Sequence, residues 1–522
     1  FTGLALKIYL NERPFEPRER DYALVGSFYA FTIWIGLGVY ALFSAARKYI
    51  HPNIAATAAT VLSLVAVPAV MAYQNWDDHD RSQKYSAEFI ADAYLESVAE
   101  NKDAMIFTIG DNDTFLLWYA QEIEGYRTDV RVINTSLLQT DWYIDQMKRQ
   151  AYQSTPIPGQ LVHKQYAHGV REAIYYQKRT DNRWNIKDFV NWITSDDPST
   201  RSSRGAGEYK QDFYYYPTNK LRIPVNKENV LKSGIVKPED ADKIVDYIDI
   251  TLPGAIDKAR IVMLDILANN DWKRPIYFTG GSMDSAEYLW MKDYLQLDGL
   301  VYKLVPIKTP IDKNNPYDMG RIDSELMYNI VKRWTWGNMG KEGIYLDPET
   351  RKNSIIFRGN LARLTEQLIA EGKTAKASEI IDIAMKNMPI DAYGYYFTLD
   401  PFIEGSYKVG KKEQARAIAL QVIKKYQEEL NYYTHLPAGE LNSNAKRIQY
   451  CIDRYGEVVM LSETLDKEFY TAQWAIFKDK AGLFMGEKEL EEYFKGAASQ
   501  AALDSLRNTL IDTTATSDST EE

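Results

Sequence analysis

The sequence predicts a helical membrane hairpin, then an outward-facing α/β domain with parallel strands, and last an all-α domain of helical repeats. Three patterns predict this order: two long uncharged stretches near the start, short apolar runs alternating with amphipathic stretches in the middle, and a repetition in the last third. At roughly 150 residues per domain, the 522 residues allow three or four domains. The composition, 45% hydrophobic and 26% charged, is that of a folded protein.

Charge and cysteine content exclude two classes of protein. With 62 Lys and Arg against 72 Asp and Glu, the formal net charge of −10 argues against a nucleic acid partner, whose phosphates a binding protein neutralises. Cys451 is the single cysteine. The chain therefore has neither an intrachain disulfide nor a zinc site built on cysteines.

Two membrane spans are predicted at about residues 24–46 and 54–73, because each apolar stretch exceeds the ~20 residues that a helix needs to cross a bilayer. The alternative is a buried helical hairpin of a soluble domain. The short turn between the spans carries Arg47 and Lys48, which favours its placement on the cytoplasmic side. Everything after Trp76, which includes the large soluble part, is then expected outside.

The first residues read as the end of another apolar segment, so we expect a fragment of a longer multipass protein. Its outer loop, residues 11–22, would return to the same face as the soluble part. There Arg18 and Arg20, with Arg13, suit the phosphate of a membrane lipid or of a polyprenyl-phosphate sugar, because guanidinium groups bind phosphate through two hydrogen bonds. Pairing between arginine and glutamate within a solvated connector is the alternative.

Residues 77–320 are predicted to form the α/β domain. A helix over residues 86–99 precedes a β-rich run at 104–109, and a helix near 114–124 leads to a second strand at 130–134. Strand, helix and strand within about 30 residues are typical of a βαβ unit with two parallel strands.

The same pattern is predicted a second time, with strands at 275–279 and 300–305 and a helix from about 284 to 294. The Tyr-rich stretch at about 152–250 is expected to be an irregular insertion. Its tyrosines, such as those at 214–216, suit either stacking against sugars or half-buried packing.

Residues 354–510 are predicted to form helical repeats. A Gly-Lys pair begins at Gly372 and again 38 residues later at Gly410, and each pair is followed by apolar residues at helical spacing. This unit is close to the tetratricopeptide repeat, whose period is about 34 residues. The Ser/Thr-rich acidic tail at 511–522 is expected to be disordered.

A candidate ligand loop lies where the first predicted strand ends, the edge at which open α/β sheets bind ligands. Its polar residues are Asp111, Asn112, Asp113 and Thr114. The two carboxylates suit a divalent cation, although Asp113 or Thr114 also suits a helix cap. The Asp-x-Asp spacing recurs elsewhere in the chain, so no metal site is predicted.

A second polar cluster, Asp77, Asp78, His79 and Asp80, directly follows Trp76 at the end of the second predicted span. These side chains suit either a metal or acid/base site near the membrane, or a plain exit into water beside an interfacial tryptophan. No glycine-rich phosphate loop follows any predicted strand, so nucleotide binding by a Rossmann or Walker loop is not supported, and the sequence leaves the cofactor unknown.

Several longer strings together resemble a known membrane family. They are residues 17–22, 26–31, 75–81, 110–115, 130–134 and 270–278. They resemble a multipass family of Gram-negative bacteria that was catalogued as a domain of unknown function. The resemblance implies a place in the bacterial inner membrane, with the large soluble part in the periplasm. That family is similar to the eukaryotic membrane protein O-mannosyltransferases.

The resemblance implies a membrane glycosyltransferase of the GT-C type that uses a polyprenyl-phosphate sugar donor to modify translocated proteins. Such enzymes keep a catalytic carboxylate in the first outward loop of an N-terminal multipass module, so the resemblance places the catalytic residue outside this chain. The alternative is a non-catalytic, membrane-anchored periplasmic scaffold whose helical repeats bind envelope proteins. A metal-dependent hydrolase at Asp111 and Asp113 is a third hypothesis.

Overall fold

A computed structural model shows how these predicted elements fold. It describes residues 3–11, 21–204, 211–280, 288–309, 319–486 and 488–494. The chain divides into two compact units, Phe1–Lys84 and Tyr85–Glu522. The predicted tail at 511–522 lies outside the described residues.

The first unit is helical. Its helices are α1 (Leu4–Leu10), α2 (Val25–Ala46), α3 (Pro52–Leu64) and α4 (Val70–His79). A π-helical turn around Pro68 joins α3 to α4 without a break. Such a turn accommodates proline, which lacks the N–H that an α-helix requires. His51 caps α3, because its ring nitrogen accepts the backbone N–H of Asn53 at 3.3 Å.

The apolar side chains of this hairpin are exposed rather than buried in a core. Trp34 is 71% exposed and Phe31 66%, and the small residues Ala55 and Ala59 are the buried ones among its described side chains. Two helical stretches, Tyr22–Ala46 and Pro52–Asp77, are long and apolar enough to cross a membrane. Both predicted spans are therefore helices of suitable length and composition, and they suggest membrane anchoring.

The second unit contains the strands. They are β1 (Met105–Thr108), β2 (Arg131–Asn134), β3 (Ala173–Tyr176), β4 (Trp184–Asn185), β5 (Arg201–Arg204), β6 (Gln211–Tyr216), β7 (Lys220–Pro224), β8 (Tyr247–Thr251), β9 (Ile256–Asp257), β10 (Ile276–Thr279), β11 (Leu295–Asp298) and β12 (Val301–Leu304). The helices among them and directly after them are α5 (Ser86–Glu96), α6 (Asp111–Glu122), α7 (Asp141–Met147), α8 (His163–Tyr166), α9 (Ile186–Thr194), α10 (Lys227–Ser233), α11 (Lys258–Asn269) and α12 (Ser324–Arg333).

The main sheet has the strand order β11-β12-β10-β1-β2. Its central strand β1 pairs in parallel with β2 and with β10, and Ile106 lies beside Val132 on one side and Tyr277 on the other. The first predicted βαβ unit is confirmed, because α6 connects β1 to β2. All residues of β1, β2 and β10 are buried, as expected for parallel strands that are covered on both faces.

The second predicted βαβ unit is wrong. β12 runs antiparallel to β10 and forms a hairpin with β11. The hairpin turns at Gly299, whose φ of 59° suits a tight turn. β11 comes between β10 and β12 along the chain, and the hairpin at its end reverses the chain direction, so β12 runs opposite to β10. Of the helix expected at 284–294, the described part Leu289–Tyr294 is a 3₁₀ helix.

We expected the Tyr-rich stretch to be irregular, but it contains regular strands. It contributes to two small sheets, with the strand orders β5-β6-β3-β9 and β4-β7-β8. Tyr216 is buried and stacks on Tyr176 at 5.4 Å, and the guanidinium of Arg171 lies 4.4 Å from the ring centre of Tyr214. These contacts correspond to the packing role considered for the tyrosines.

The chain beyond residue 347 is helical among the described residues. Its helices are α13 (Pro348–Ala370), α14 (Thr374–Asn387), α15 (Ile390–Tyr393), α16 (Asp400–Lys408), α17 (Lys412–Tyr433), α18 (Ala438–Ser443), α19 (Ala445–Met460) and α20 (Lys467–Ala481). The pairs α13–α14 and α16–α17 turn at Gly372 and Gly410, whose φ angles are 73° and 82°. In each turn the N–H after the glycine donates to the carbonyl five residues earlier at 2.8 Å. The repeated apolar positions are buried: Ala377, Ile380, Ile381, Ala384, Ala415, Ile418, Ala419, Val422 and Ile423.

Candidate functional site at the carboxyl edge of the main sheet

The predicted ligand loop is the first turn of a helix. We expected the helix to begin near Thr114, but α6 begins at Asp111 and Gly110 precedes it as the N-cap residue. Because β1, β2 and β10 are parallel, their carboxyl ends meet at the edge where this turn lies. The turn therefore occupies the predicted position, but its backbone is helical.

Asp113 caps its own helix. Its carboxylate accepts the backbone N–H of Ile109 at 2.9 Å and that of Gly110 at 3.0 Å. The hydroxyl of Thr279, at the end of β10, donates to the same carboxylate. Capping, one of the two roles considered for Asp113, is thus what the structure shows, and it ties α6 to the neighbouring strand.

Thr114 is fully buried and connects the ends of two strands. Its hydroxyl oxygen accepts the side-chain amide of Asn134, at the end of β2, at 2.8 Å. The same hydroxyl lies 2.6 Å from the carbonyl oxygen of Gly110 and 2.7 Å from the hydroxyl of Thr108. These contacts make Thr114 a structural residue of the edge.

Asp111 and Asn112 are the exposed members of the turn. Neither side chain takes part in the hydrogen bonds that hold the cap. Among the described residues, no group of three or more His, Cys, Asp or Glu side chains is placed to hold a metal ion. Metal binding by Asp111 with Asp113 stays a hypothesis.

A cleft of about 230 Å³ lies beside the end of β2. One wall follows β2, where Thr135 donates its hydroxyl to the carbonyl of Thr108 at 3.0 Å and Ser136 donates to that of Ile109 at 2.8 Å. The other wall is the start of α11. The residues that line the cleft are Thr135, Ser136, Gln139, Asp257, Ala259, Arg260 and Met263.

Two cations at the start of α11 have different surroundings. Lys258 is 2% exposed and donates to Glu172 at 2.7 Å. Burial opposes ionisation of Glu172, but the hydrogen bond from Lys258 prevails and lowers the pKa of that carboxyl. Arg260 is 7% exposed and lines the cleft. Asp257 caps α11 by accepting the backbone N–H of Arg260 at 2.9 Å.

The polar cluster after Trp76 lies at the end of α4. The ring Nδ1 of His79 lies 2.9 Å from the backbone carbonyl oxygen of Asn75. Asp80 accepts hydrogen bonds from the side chain and the backbone of Ser82, which lower the pKa of its carboxyl. Asp77 is exposed, and the side chain of Asp78 lies outside the described part of the structure. The side chains of His79 and Asp80 therefore contact residues close to them in sequence.

The arginines predicted to bind lipid phosphate, Arg18 and Arg20, lie outside the described residues, as does Arg13. Their role stays a prediction from the sequence.

The strands of the main sheet and the residues at its carboxyl edge belong to one continuous segment of the chain. Residues 87–326 match the family model of TMEM260-associated domain 2. The segment matched to TMEM260-associated domain 2 includes every strand named above, the cap formed by Asp113 and the cleft beside α11. It ends near the start of α12, so the helical hairpins lie beyond it. No curated protein and no solved structure matches the chain.

Sequence reasoning missed Thr279, Asn134 and Arg260. Thr279 and Asn134 end predicted strands, and polar residues at the carboxyl ends of parallel strands were the available signal for them. Arg260 carried no such signal, because it stands inside a largely apolar helix.

Proposed function

We propose that this chain is the C-terminal part of an inner-membrane glycosyltransferase that uses a polyprenyl-phosphate sugar donor to modify translocated proteins. The observation that carries the proposal is the match of residues 87–326 to TMEM260-associated domain 2, directly after two helices of membrane-spanning length. The resemblance of several strings to the family similar to membrane protein O-mannosyltransferases supports the same function.

In the proposed reaction, a carboxylate outside this chain takes the proton of an acceptor Ser or Thr hydroxyl. The hydroxyl oxygen forms a bond to the anomeric carbon of the sugar while the bond from that carbon to the lipid phosphate breaks. Arg18 and Arg20 would stabilise the charge of the departing phosphate. The tetratricopeptide-like hairpins α13–α14 and α16–α17 would hold the acceptor protein.

Sugar transfer tests this function. The full-length protein is incubated with a labelled polyprenyl-phosphate sugar and a peptide containing Ser and Thr, and label on the peptide is counted. Arg18→Ala and Arg20→Ala should each lower the rate by about tenfold or more, because charge-assisted hydrogen bonds to the phosphate are lost. Arg179→Gln, an exposed arginine of the second unit, is the control. Undiminished transfer by both variants would remove these arginines from the site.

The proposed orientation has the turn with Arg47 and Lys48 in the cytoplasm and the second unit in the periplasm. Cys451 is buried and can be replaced by alanine, which leaves a chain without cysteine. In intact cells, an impermeant maleimide should label Asp242→Cys, which is exposed in the second unit, and should not label Tyr49→Cys in the turn. Labelling of Tyr49→Cys alone would reverse the orientation.

The alternative is a non-catalytic scaffold that recruits envelope proteins through its helices, and the paired helical hairpins favour it. A deletion of residues 395–522 separates the two functions. The deletion keeps α13, because Arg363 on that helix donates hydrogen bonds to the backbone carbonyls of Met319 and Gly320 at 2.8 Å each. Loss of partners with sugar transfer retained would assign recruitment to the deleted helices, and absence of transfer by the full-length protein would favour the scaffold.

A further inference from the structure

Arg260 differs from the other buried arginines of the described structure. Arg131, Arg171 and Arg358 each donate hydrogen bonds to two or more backbone carbonyls. The guanidinium of Arg260 makes no hydrogen bond, ion pair or ring contact among the described residues, although the residue is more than nine-tenths buried. The guanidinium nitrogens of Arg260 are not among the fully buried side-chain atoms that lack a partner, so they are open to solvent on the side of the cleft. A guanidinium kept in this position is available to a ligand.

The cleft beside Arg260 has the size and the polar groups of a small binding site. Its volume, about 230 Å³, is below the ~300–1,000 Å³ typical of drug-sized ligands. Gln139 also lines it, and its side-chain amide has no hydrogen bond within the described part of the chain. Arg260 and Gln139 together offer several N–H donors from opposite walls.

The remaining polar groups of the cleft are acceptors. The hydroxyls of Thr135 and Ser136 donate their protons to backbone carbonyls, so their oxygens are left to accept hydrogen bonds. Asp257 adds a carboxylate, one oxygen of which accepts the N–H of Arg260. A ligand that satisfies both groups needs an oxyanion for the donors and hydroxyl groups for the acceptors.

We infer that this cleft binds a small hydroxylated anion, with its phosphate or carboxylate on Arg260 and Gln139. The hydroxyls of the ligand lie toward Thr135, Ser136 and Asp257. The cleft lies at the carboxyl edge of β2, where parallel sheets bind ligands, and beside the first turn of α11, whose dipole favours negative charge. The inference stands independently of glycosyl transfer.

The test is isothermal titration calorimetry of the full chain in detergent with three probes: inorganic phosphate, glycerol 3-phosphate and glycerate. We expect saturable binding of one glycerol phosphate or one glycerate per chain, and the tighter of the two identifies the anionic group. Arg260→Gln should weaken that binding by about thirtyfold, because charge-assisted hydrogen bonds are lost. Arg179→Gln removes the same charge at an exposed position and should leave the affinity unchanged.

Two results would overturn the inference: no saturable binding of glycerol 3-phosphate or glycerate by the unmodified chain, whether or not inorganic phosphate binds, or equal affinity in Arg260→Gln. The melting temperature distinguishes a structural role of Arg260 from a binding role. If the role is binding, Arg260→Gln without ligand should melt no lower than the unmodified chain. A lower melting temperature with unchanged affinity would count against a binding role. If Arg260→Gln does not fold, Gln139→Leu should weaken binding about fivefold, and unchanged affinity there would equally refute the site.

Discussion

The carboxylate of Asp113 accepts the backbone N–H of Gly110 at 3.0 Å, so the second acidic residue of the predicted ligand loop stabilises the helix to which it belongs. Asp113→Ala should lower the free energy of unfolding by about 1 to 2 kcal/mol, because a cap is lost. Asp111→Ala, at an exposed position of the same turn, should change it by less than about 0.5 kcal/mol. Urea denaturation of the full chain measures both.

Asp111 and Asp113 also allow a test of the metal hypothesis. If Asp111 and Asp113 hold a divalent cation, calorimetry should detect Mn²⁺ or Mg²⁺ binding that Asp111→Asn abolishes. Binding that survives Asp111→Asn would assign the ion elsewhere.

The turns of the two helical hairpins should respond alike to substitution. Gly372→Ala and Gly410→Ala should each lower the free energy of unfolding by about 1 kcal/mol. Both glycines have positive φ, and a Cβ there meets no neighbour within 4 Å, so backbone strain is the source of the loss. Gly359→Ala, inside α13 and also free of close neighbours, should stabilise the protein by about 0.5 to 1 kcal/mol. Urea midpoints check the signs, and equal signs at all three positions would contradict the expectation.

Arg358 should be among the most sensitive positions of the helical region. It is fully buried on α13 and donates to the carbonyls of Gly394 at 2.6 Å and Met388 at 2.8 Å, and burial lowers the pKa of its guanidinium to about 10. Arg358→Ala should cost about 3 kcal/mol of unfolding free energy, because it leaves a cavity and two unsatisfied carbonyls. Lys352→Ala, exposed on the same helix, should cost less than about 0.5 kcal/mol.

Asp92 on α5 should make stability fall as the pH rises. Burial first, and then the charges of Glu124, Glu88 and Glu96, raise the pKa of its carboxyl from 3.8 to about 6. Because the folded state holds this proton more tightly than the unfolded chain, the stabilisation is complete below pH 3.8 and is lost as the pH passes 6.

Asp92→Asn should therefore raise the free energy of unfolding at pH 7.5 by about 1 kcal/mol. This is less than the pKa shift alone would give, because solvent screens the charges around a half-buried side chain. Its gain should disappear near pH 4. Melting curves between pH 4 and 8 measure it, with the exposed Asp242→Asn as control. A gain that is independent of pH would exclude the titration of Asp92 as its cause.

Local patterns predicted much of the fold, but pairing between distant segments was beyond them. The helical faces around Ile380 and Ile418 follow from spacing alone, as does the parallel pair joined by α6. The hairpin at Gly299 was misread because an apolar run suits either strand direction.

The site was predictable only in position. An aspartate in the first turn of a helix suits a cap or a ligand, so the donors around Asp113 decide its role. Among the described residues the guanidinium of Arg260 has no hydrogen-bond partner. This depends on its three-dimensional surroundings, which no spacing in the sequence reveals.

The place of β1 between β2 and β10 has a consequence for synthesis. Met105 pairs with Arg131 soon after it is made, but its other partner, Ile276, is translated much later. Until then one edge of an apolar strand stays open to other chains, and closing so long a loop is slow. Nascent chains that stop before β10 should therefore aggregate or be bound by chaperones. Chaperones should release β1 once residue 279, the end of β10, has been synthesised.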